Sequence, residues 1–222
     1  MNKVLFISVH PDDETLGCGG TILKHKANND EIFWLILTKG NQKIESIENF
    51  NDIRNKYIQD ASIEYGFDKT YKLNFLTTEL DIHPLGEIIS EIKQVISLIK
   101  PDIVFIPNRS DVQSDHRIAF EAIYACTKNF RAPFIKKLLM YETLSETEYA
   151  PALRENSFTP NIFVDITPFI NKKLEIMKIY KSEVMDEPYP RAMSSIKALN
   201  RFRGSRIGVK YAESFMLLFE ML

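Results

Sequence analysis

Val4-Leu5-Phe6-Ile7-Ser8-Val9-His10-Pro11-Asp12-Asp13-Glu14 decides the reading of this chain. Its first six residues are apolar apart from Ser8 and rich in β-branched and aromatic side chains, as in a short buried strand. A histidine and three carboxylates follow within five positions, with a proline stiffening the turn. Crowding negative charge at the end of a buried strand costs self-repulsion and desolvation, and a cation offsets both. His10 and Asp13 are three apart, so a tight turn can aim both at one point. Nitrogen plus carboxylate oxygen suits zinc or a similar divalent ion. Asp12 would then stand beside the metal without binding it, where a base for an activated water belongs. The alternative is that Asp12 to Thr15 merely cap a helix over Leu16–Ala27 and complement its dipole. His10 and a second cluster further along favour the metal.

Length and composition bound the rest. The chain has 222 residues, enough for one large domain with a sizeable core, and we expect a single domain over 1–222. A charged fraction of 26% and a net charge of −2, with acids and bases interspersed, give no basic stripe for nucleic acid and no charged tail. The N-terminal apolar run is too short for a signal segment, and no stretch approaches the length of a transmembrane span. Cys18 and Cys126 lie far apart in no metal-like spacing, so a disulfide framework is not expected and the cytoplasm is the expected compartment. Cys18 reads as a small buried residue.

Strand and helix signals alternate. Strands are expected at Ile32–Leu37, Tyr71–Leu76, Ile103–Pro107, Lys137–Tyr141 and Ile162–Ile166. Helices are expected from about Ser46 to Tyr65, over Leu85–Ile99 and Ile118–Lys128, from Pro168 to about Val184, and over about Met193–Phe202. Gly17, Gly19 and Gly20 would let the first helix pack closely on the sheet, but they lack the GxGxxG spacing of a dinucleotide loop. His83 reads as a loop histidine and His25 as a solvated helix residue. The pattern predicts an α/β fold: a Rossmann-like, doubly wound, mainly parallel sheet in the order 3-2-1-4-5, helices on both faces, and a C-terminal helical/loop extension.

In that order the first and fourth strands are neighbours, and ligands bind outside their carboxyl ends. His116, in Asn108-Arg109-Ser110-Asp111-Val112-Gln113-Ser114-Asp115-His116-Arg117, follows the fourth strand and would join His10 and Asp13. Two histidines and an aspartate leave a position open, as in catalytic rather than structural zinc sites.

These residues resemble the LmbE-like (PIG-L) family of zinc-dependent de-N-acetylases. The resemblance rests on His10-Pro11-Asp12-Asp13-Glu14 and Asp115-His116-Arg117. It extends to Lys100-Pro101-Asp102-Ile103-Val104, Arg54, Arg203-Gly204 and Tyr211-Ala212-Glu213-Ser214-Phe215. It implies hydrolysis of an acetamide on an amino sugar or glycoconjugate, free, nucleotide-linked or lipid-linked. His10, Asp13 and His116 would hold Zn2+ or another divalent ion. Asp12 would be the general base, Asp115 would support the site from behind, and Arg54, Glu14 and Asn108 would contact substrate. The expected partner is a small N-acetylated sugar rather than nucleic acid, and a homo-oligomer is left open. Two departures stand out. Gln113 replaces a histidine common in the family; it can donate to an oxyanion but cannot supply a proton, so Asp12 would have to return the proton as well. Tyr57 replaces a glutamate three residues after Arg54. The rival readings are another metal-dependent amide or ester hydrolase, a sugar-binding protein with a vestigial metal site, and a nucleotide-binding domain.

Overall fold

A computed structural model of the protein describes residues 1–43 and 47–222. Seven strands form one sheet: β1 (Lys3–Ser8), β2 (Glu31–Lys39), β3 (Lys69–Leu76), β4 (Ile103–Pro107), β5 (Lys137–Tyr141), β6 (Ile162–Asp165) and β7 (Ala212–Glu220). Six helices surround it: α1 (Asp13–Ala27), α2 (Phe50–Tyr65), α3 (Leu85–Ile99), α4 (Ser114–Cys126), α5 (Ile170–Met177) and α6 (Met193–Ser205). The sheet order is β3-β2-β1-β4-β5-β7-β6. The first five strands are parallel in the expected order, with Val4 between Ile32 and Ile103. The C-terminal extension carries α5 and α6 and adds two strands to the sheet: β7 pairs antiparallel with both β5 and β6.

The strands alternate between two apolar layers, because side chains along a strand point to opposite faces. Leu5, Ile7, Leu35, Val104 and Ile106 pack on Ile88 and Ile92 of α3 and Ala119 and Ile123 of α4. Val4, Phe6, Ile32, Trp34 and Phe105 pack on Leu16 and Ile22 of α1, on Ile58 and Ala61 of α2, and on α5 and α6. A sheet covered on both faces explains why β1 and β2 read as apolar throughout.

Two helices begin earlier than their periodicity suggests, and both shifts concern the chemistry. α1 starts at Asp13 rather than Leu16, and α4 at Ser114 rather than Ile118. Asp13 and His116 therefore sit on rigid first turns, not in loops. The polar residues of those turns face inward, which an apolar pattern cannot register. The helix expected from Ser46 starts at Phe50; Ser46 lies outside the described residues. It closes at Gly66, whose φ of 71° suits glycine. The helix expected from Pro168 to Val184 is shorter, Ile170–Met177, and turns carry the chain on to α6.

The glycines of α1 do pack it tightly on its surroundings. A Cβ on Gly17 would stand 2.3 Å from the Tyr141 ring of β5, and one on Gly20 would stand 2.6 Å from Ile166. A buried ion pair completes the contact. Lys173 of α5 is fully buried and donates to Glu213 Oε1 at 2.7 Å and to the Leu16 carbonyl at 2.9 Å. Glu213 of β7 accepts from the backbone N–H groups of Gly20 and Thr21 at 2.8 and 2.7 Å. Leu16 C=O and Gly20 N–H are the two halves of one helical step, so the pair ties α5 and β7 into the backbone of α1. Glu213→Ala leaves a buried ammonium without its counter-ion and should lower the unfolding free energy by about 3–5 kcal/mol in urea denaturation. A loss under about 1 kcal/mol would show that the pair does not hold α1 in place.

Candidate metal centre

β1 and β4 lie side by side at the point where the chain reverses winding, and their carboxyl ends deliver both clusters to one place. Asp12 precedes α1 with φ 135° and ψ −27° and makes no side-chain capping bond. A non-glycine residue there is strained by about 1–3 kcal/mol, and such strain persists only where the surroundings impose it. Glu14 imposes it: Glu14 Oε2 accepts from the Asp12 N–H at 3.1 Å and from Ser8 Oγ at 3.2 Å. Glu14 Oε1 accepts from Thr15 Oγ1 and Tyr180 OH, both at 2.6 Å. Burial lifts the Glu14 carboxyl to about 7 despite these bonds.

Asp13 Oδ2 accepts from the N–H groups of Val9 and His10 at 2.9 and 2.8 Å, which turns the carboxylate back over the strand end. His116 Nε2 lies 3.5 Å from this oxygen and 3.4 Å from His10 Nδ1; His10 Nδ1 lies 4.0 Å from Asp13 Oδ2. Donors about 2.0–2.1 Å from a tetrahedral ion stand about 3.3 Å apart, so the three atoms are spaced for one small divalent cation. Among the described residues His10, Asp13 and His116 form the group that could hold a metal ion.

The far nitrogens of both histidines meet carboxylates, as metal-binding imidazoles require for orientation. His116 Nδ1 is 2.8 Å from Asp111 Oδ2. Asp111 in turn accepts from Asn108 Nδ2 at 2.8 Å and Thr147 Oγ1 at 2.7 Å. His10 Nε2 is 3.4 Å from Asp115 Oδ2, and Asp115 accepts from the N–H groups of Thr78 at 2.6 Å and Leu80 at 3.2 Å. Burial disfavours charge on both rings. It wins at His10, whose pKa falls, whereas at His116 the Asp13 and Asp111 carboxylates outweigh it and raise the ring to about 9. An ion binding here therefore displaces a proton from His116.

A polar cavity of about 290 Å³ opens over these atoms. Asp12, Arg54 and Gln113 line it, as do Glu146, Glu183 and Arg191. Gln113 Oε1, Thr143 Oγ1, Glu146 Oε2 and Arg191 Nε are buried on its wall without hydrogen-bond partners among the described residues. Buried polar atoms are rarely left unmet, and such a concentration marks a place where a polar guest or water completes the bonding. Burial pushes the Asp12 carboxyl well above its usual range, as do Glu183 and Asp13, while Arg191 pulls it down. Arg191 Nη1 is 3.7 Å from Asp12 Oδ2 and 3.1 Å from Glu183 Oε2.

Two expected roles change. Glu14 has no exposed surface and bonds only to internal groups, so it shapes the Asp12 turn rather than touching substrate. Asn108 is buried and holds Asp111. Asp115 is fully buried behind His10, the supporting position expected of it. Asp111, Glu146, Glu183 and Arg191 went unassigned from sequence. For Asp111 a signal existed, a carboxylate five residues before a ligand histidine; the others lie in stretches without periodicity. Tyr57 packs edge-on against Tyr180, the donor to Glu14, with ring centroids 6.2 Å apart. His25 is half-buried and pairs with Asp30 at 2.8 Å rather than standing in solvent. Cys18 and Cys126 are both free and buried.

The fold and the donor set define an α/β protein with a candidate three-residue metal site at its switch point. The PIG-L family, described as GlcNAc-PI de-N-acetylase, matches residues 5–127, and the chain belongs to that family. A diacetylchitobiose deacetylase of Thermococcus kodakarensis is 28% identical over 226 residues, covering 96% of this chain and 82% of that protein. Among solved structures, the conserved protein TT1542 of Thermus thermophilus superposes with a TM-score of 0.80 at 27% identity, covering 100% of this chain and 97% of that one. The N,N'-diacetylchitobiose deacetylase of Pyrococcus horikoshii, complexed with its inhibitor MPG, gives 0.76 at 25% identity, covering 98% and 84%.

Loss of an outer-shell carboxylate typically weakens metal binding by about 10–100-fold. Asp111→Ala should do so here, read as zinc affinity against a competing chelator. An unchanged affinity would mean that Asp111 does not orient His116.

Proposed function

We propose that the protein is a zinc-dependent hydrolase that removes an N-acetyl group from an amino sugar or glycoconjugate. The observation that carries this reading is the pairing of the three convergent donor atoms with Asp12, a buried carboxyl on the same cavity that makes no capping bond. A divalent ion on His10, Asp13 and His116 supplies Lewis acidity, lowering the pKa of water and polarising a carbonyl.

The chain does the rest. Asp12 takes a proton from the attacking water, and Arg191 beside it favours the ionised form that a base needs. Gln113 projects into the cavity from the start of α4 and donates to the developing oxyanion. Arg54, buried on the cavity wall and bonded to Thr38 Oγ1 at 3.3 Å, orients sugar hydroxyls. The cavity is much more polar than a typical drug-like pocket, which suits a hydroxylated guest. The names of the family and of the relatives support the acetyl group as the one removed. No helix among the described residues is long and apolar enough to cross a membrane.

The test is acetate release from a panel of N-acetylated amino sugars, free, nucleotide-linked and lipid-linked, by zinc-loaded protein. Asp12→Asn should keep its metal and lose roughly two to four orders of magnitude in turnover. Asp13→Asn should instead lose metal. Equal metal loss in the two variants would contradict the assignment of Asp12 as base and Asp13 as ligand.

A further inference from the structure

Hydrolysis of an amide needs a proton on the departing nitrogen, and Gln113 cannot give one. Glu146 stands on the same cavity. Its turn is pinned to the loop that carries Gln113 and the ligand histidine. The Glu146 carbonyl accepts from the Val112 N–H at 3.1 Å, and Thr147 Oγ1 donates to Asp111 at 2.7 Å. Ser145 enters the turn with φ 76°, and its N–H donates to Glu148 Oε1 at 2.6 Å. Through Thr147 the turn is thus tied to Asp111, the carboxylate that also orients His116. Glu146 Oε2 is buried on the cavity wall without a partner among the described residues.

Resting on the deacetylase reading above, we propose that Glu146 is the catalytic acid that protonates the leaving amine. As the acetyl C–N bond breaks, its electron pair goes to nitrogen and nitrogen takes the Glu146 proton. That transfer gives the neutral amine; the water proton taken by Asp12 restores the acid form of Glu146, directly or through solvent, and the water's second proton, left on the acetic acid, passes to the amine in solvent to give ammonium and acetate. The surroundings suit a group that must be protonated when the amine departs. Burial lifts the Glu146 carboxyl to about 7; Asp13 of α1 and Asp111 of the loop before α4 push the same way, while His116 of α4 and Arg191 before α6 pull it down. Glu183 acts on Asp12, His116 and Asp111 act on Glu146, and Asp13 and Arg191 act on both. Asp12 and Glu146 thus line one cavity as two separate carboxyls, each available for one of the two proton transfers.

The experiment uses the zinc-loaded full chain with an N-acetylamino sugar that wild type hydrolyses, and with p-nitrophenyl acetate, whose leaving group departs without a proton. Glu146→Gln should lose roughly 10²–10⁴-fold in kcat on the amide, the usual worth of a positioned acid. It should lose the fall in rate at alkaline pH, and keep both its zinc content and its p-nitrophenyl acetate rate. Glu146→Asp, an acid withdrawn by one methylene, should fall between wild type and Glu146→Gln on the amide. Equal losses on both substrates would overturn the proposal in favour of a structural role, and an unchanged amide rate would also overturn it. Loss of zinc would make Glu146 a ligand instead. Failure of wild type to release acetate from any sugar would overturn the deacetylase reading itself, before any substitution is compared.

Discussion

Five carboxyl groups, those of Asp12, Asp13, Glu14, Asp111 and Asp115, are buried at the adjoining ends of β1 and β4. Uncompensated, such burial would cost several kcal/mol for each charge. Much of the surrounding structure answers that cost, group by group. Backbone N–H groups of the strand end meet Asp13. The loop after β3 brings two more to Asp115. The turn after β5 sends Thr147 to Asp111. The segment after α5 sends Tyr180 to Glu14 and Arg191 to Asp12. What these contacts leave over is the point between Asp13 and the two imidazoles, whose donor atoms are spaced for a cation that would complete the balance.

This arrangement explains why the C-terminal third of the chain belongs to the site although no ligand comes from it. The Lys173–Glu213 pair anchors α5 and β7 on α1, and that anchoring puts Tyr180 and Arg191 within reach of the first turn of α1. Gly17 and Gly20 permit the approach from the other side. The strain at Asp12 is then a consequence of local bonding: Glu14 holds the Asp12 N–H, the Leu16 N–H donates to the Asp12 carbonyl at 2.8 Å, and the side chain is turned toward the cavity. A carboxyl that could have capped α1 makes no such bond.

The parallel core of the fold and the convergence of His10, Asp13 and His116 were legible in the sequence for one reason. An apolar run followed by His-Pro-Asp-Asp-Glu fixes a strand end, and the winding rule brings the fourth strand beside it. Other features were not legible. α1 and α4 begin on buried polar residues, so hydrophobic periodicity placed their starts three or four residues late. Glu14 and Asn108 have the chemistry of substrate contacts, and only their burial shows that they serve other residues. Glu146, Glu183 and Arg191 lie in aperiodic stretches far along the chain; nothing local in their sequence tells that tertiary folding aims them at Asp12 and His116. Gln113 looked like the loss of a proton donor, and the structure puts another carboxyl in the same cavity.

The central claim is that His10 and His116, which are 106 residues apart, meet at one ion. X-ray absorption at the zinc edge of the loaded protein tests it most directly. The account predicts scattering from two imidazoles with nitrogen and oxygen donors at about 2.0–2.1 Å and no sulfur, falling to one imidazole in His116→Ala. A sulfur shell at about 2.3 Å, or an imidazole count that neither His10→Ala nor His116→Ala reduces, would contradict it.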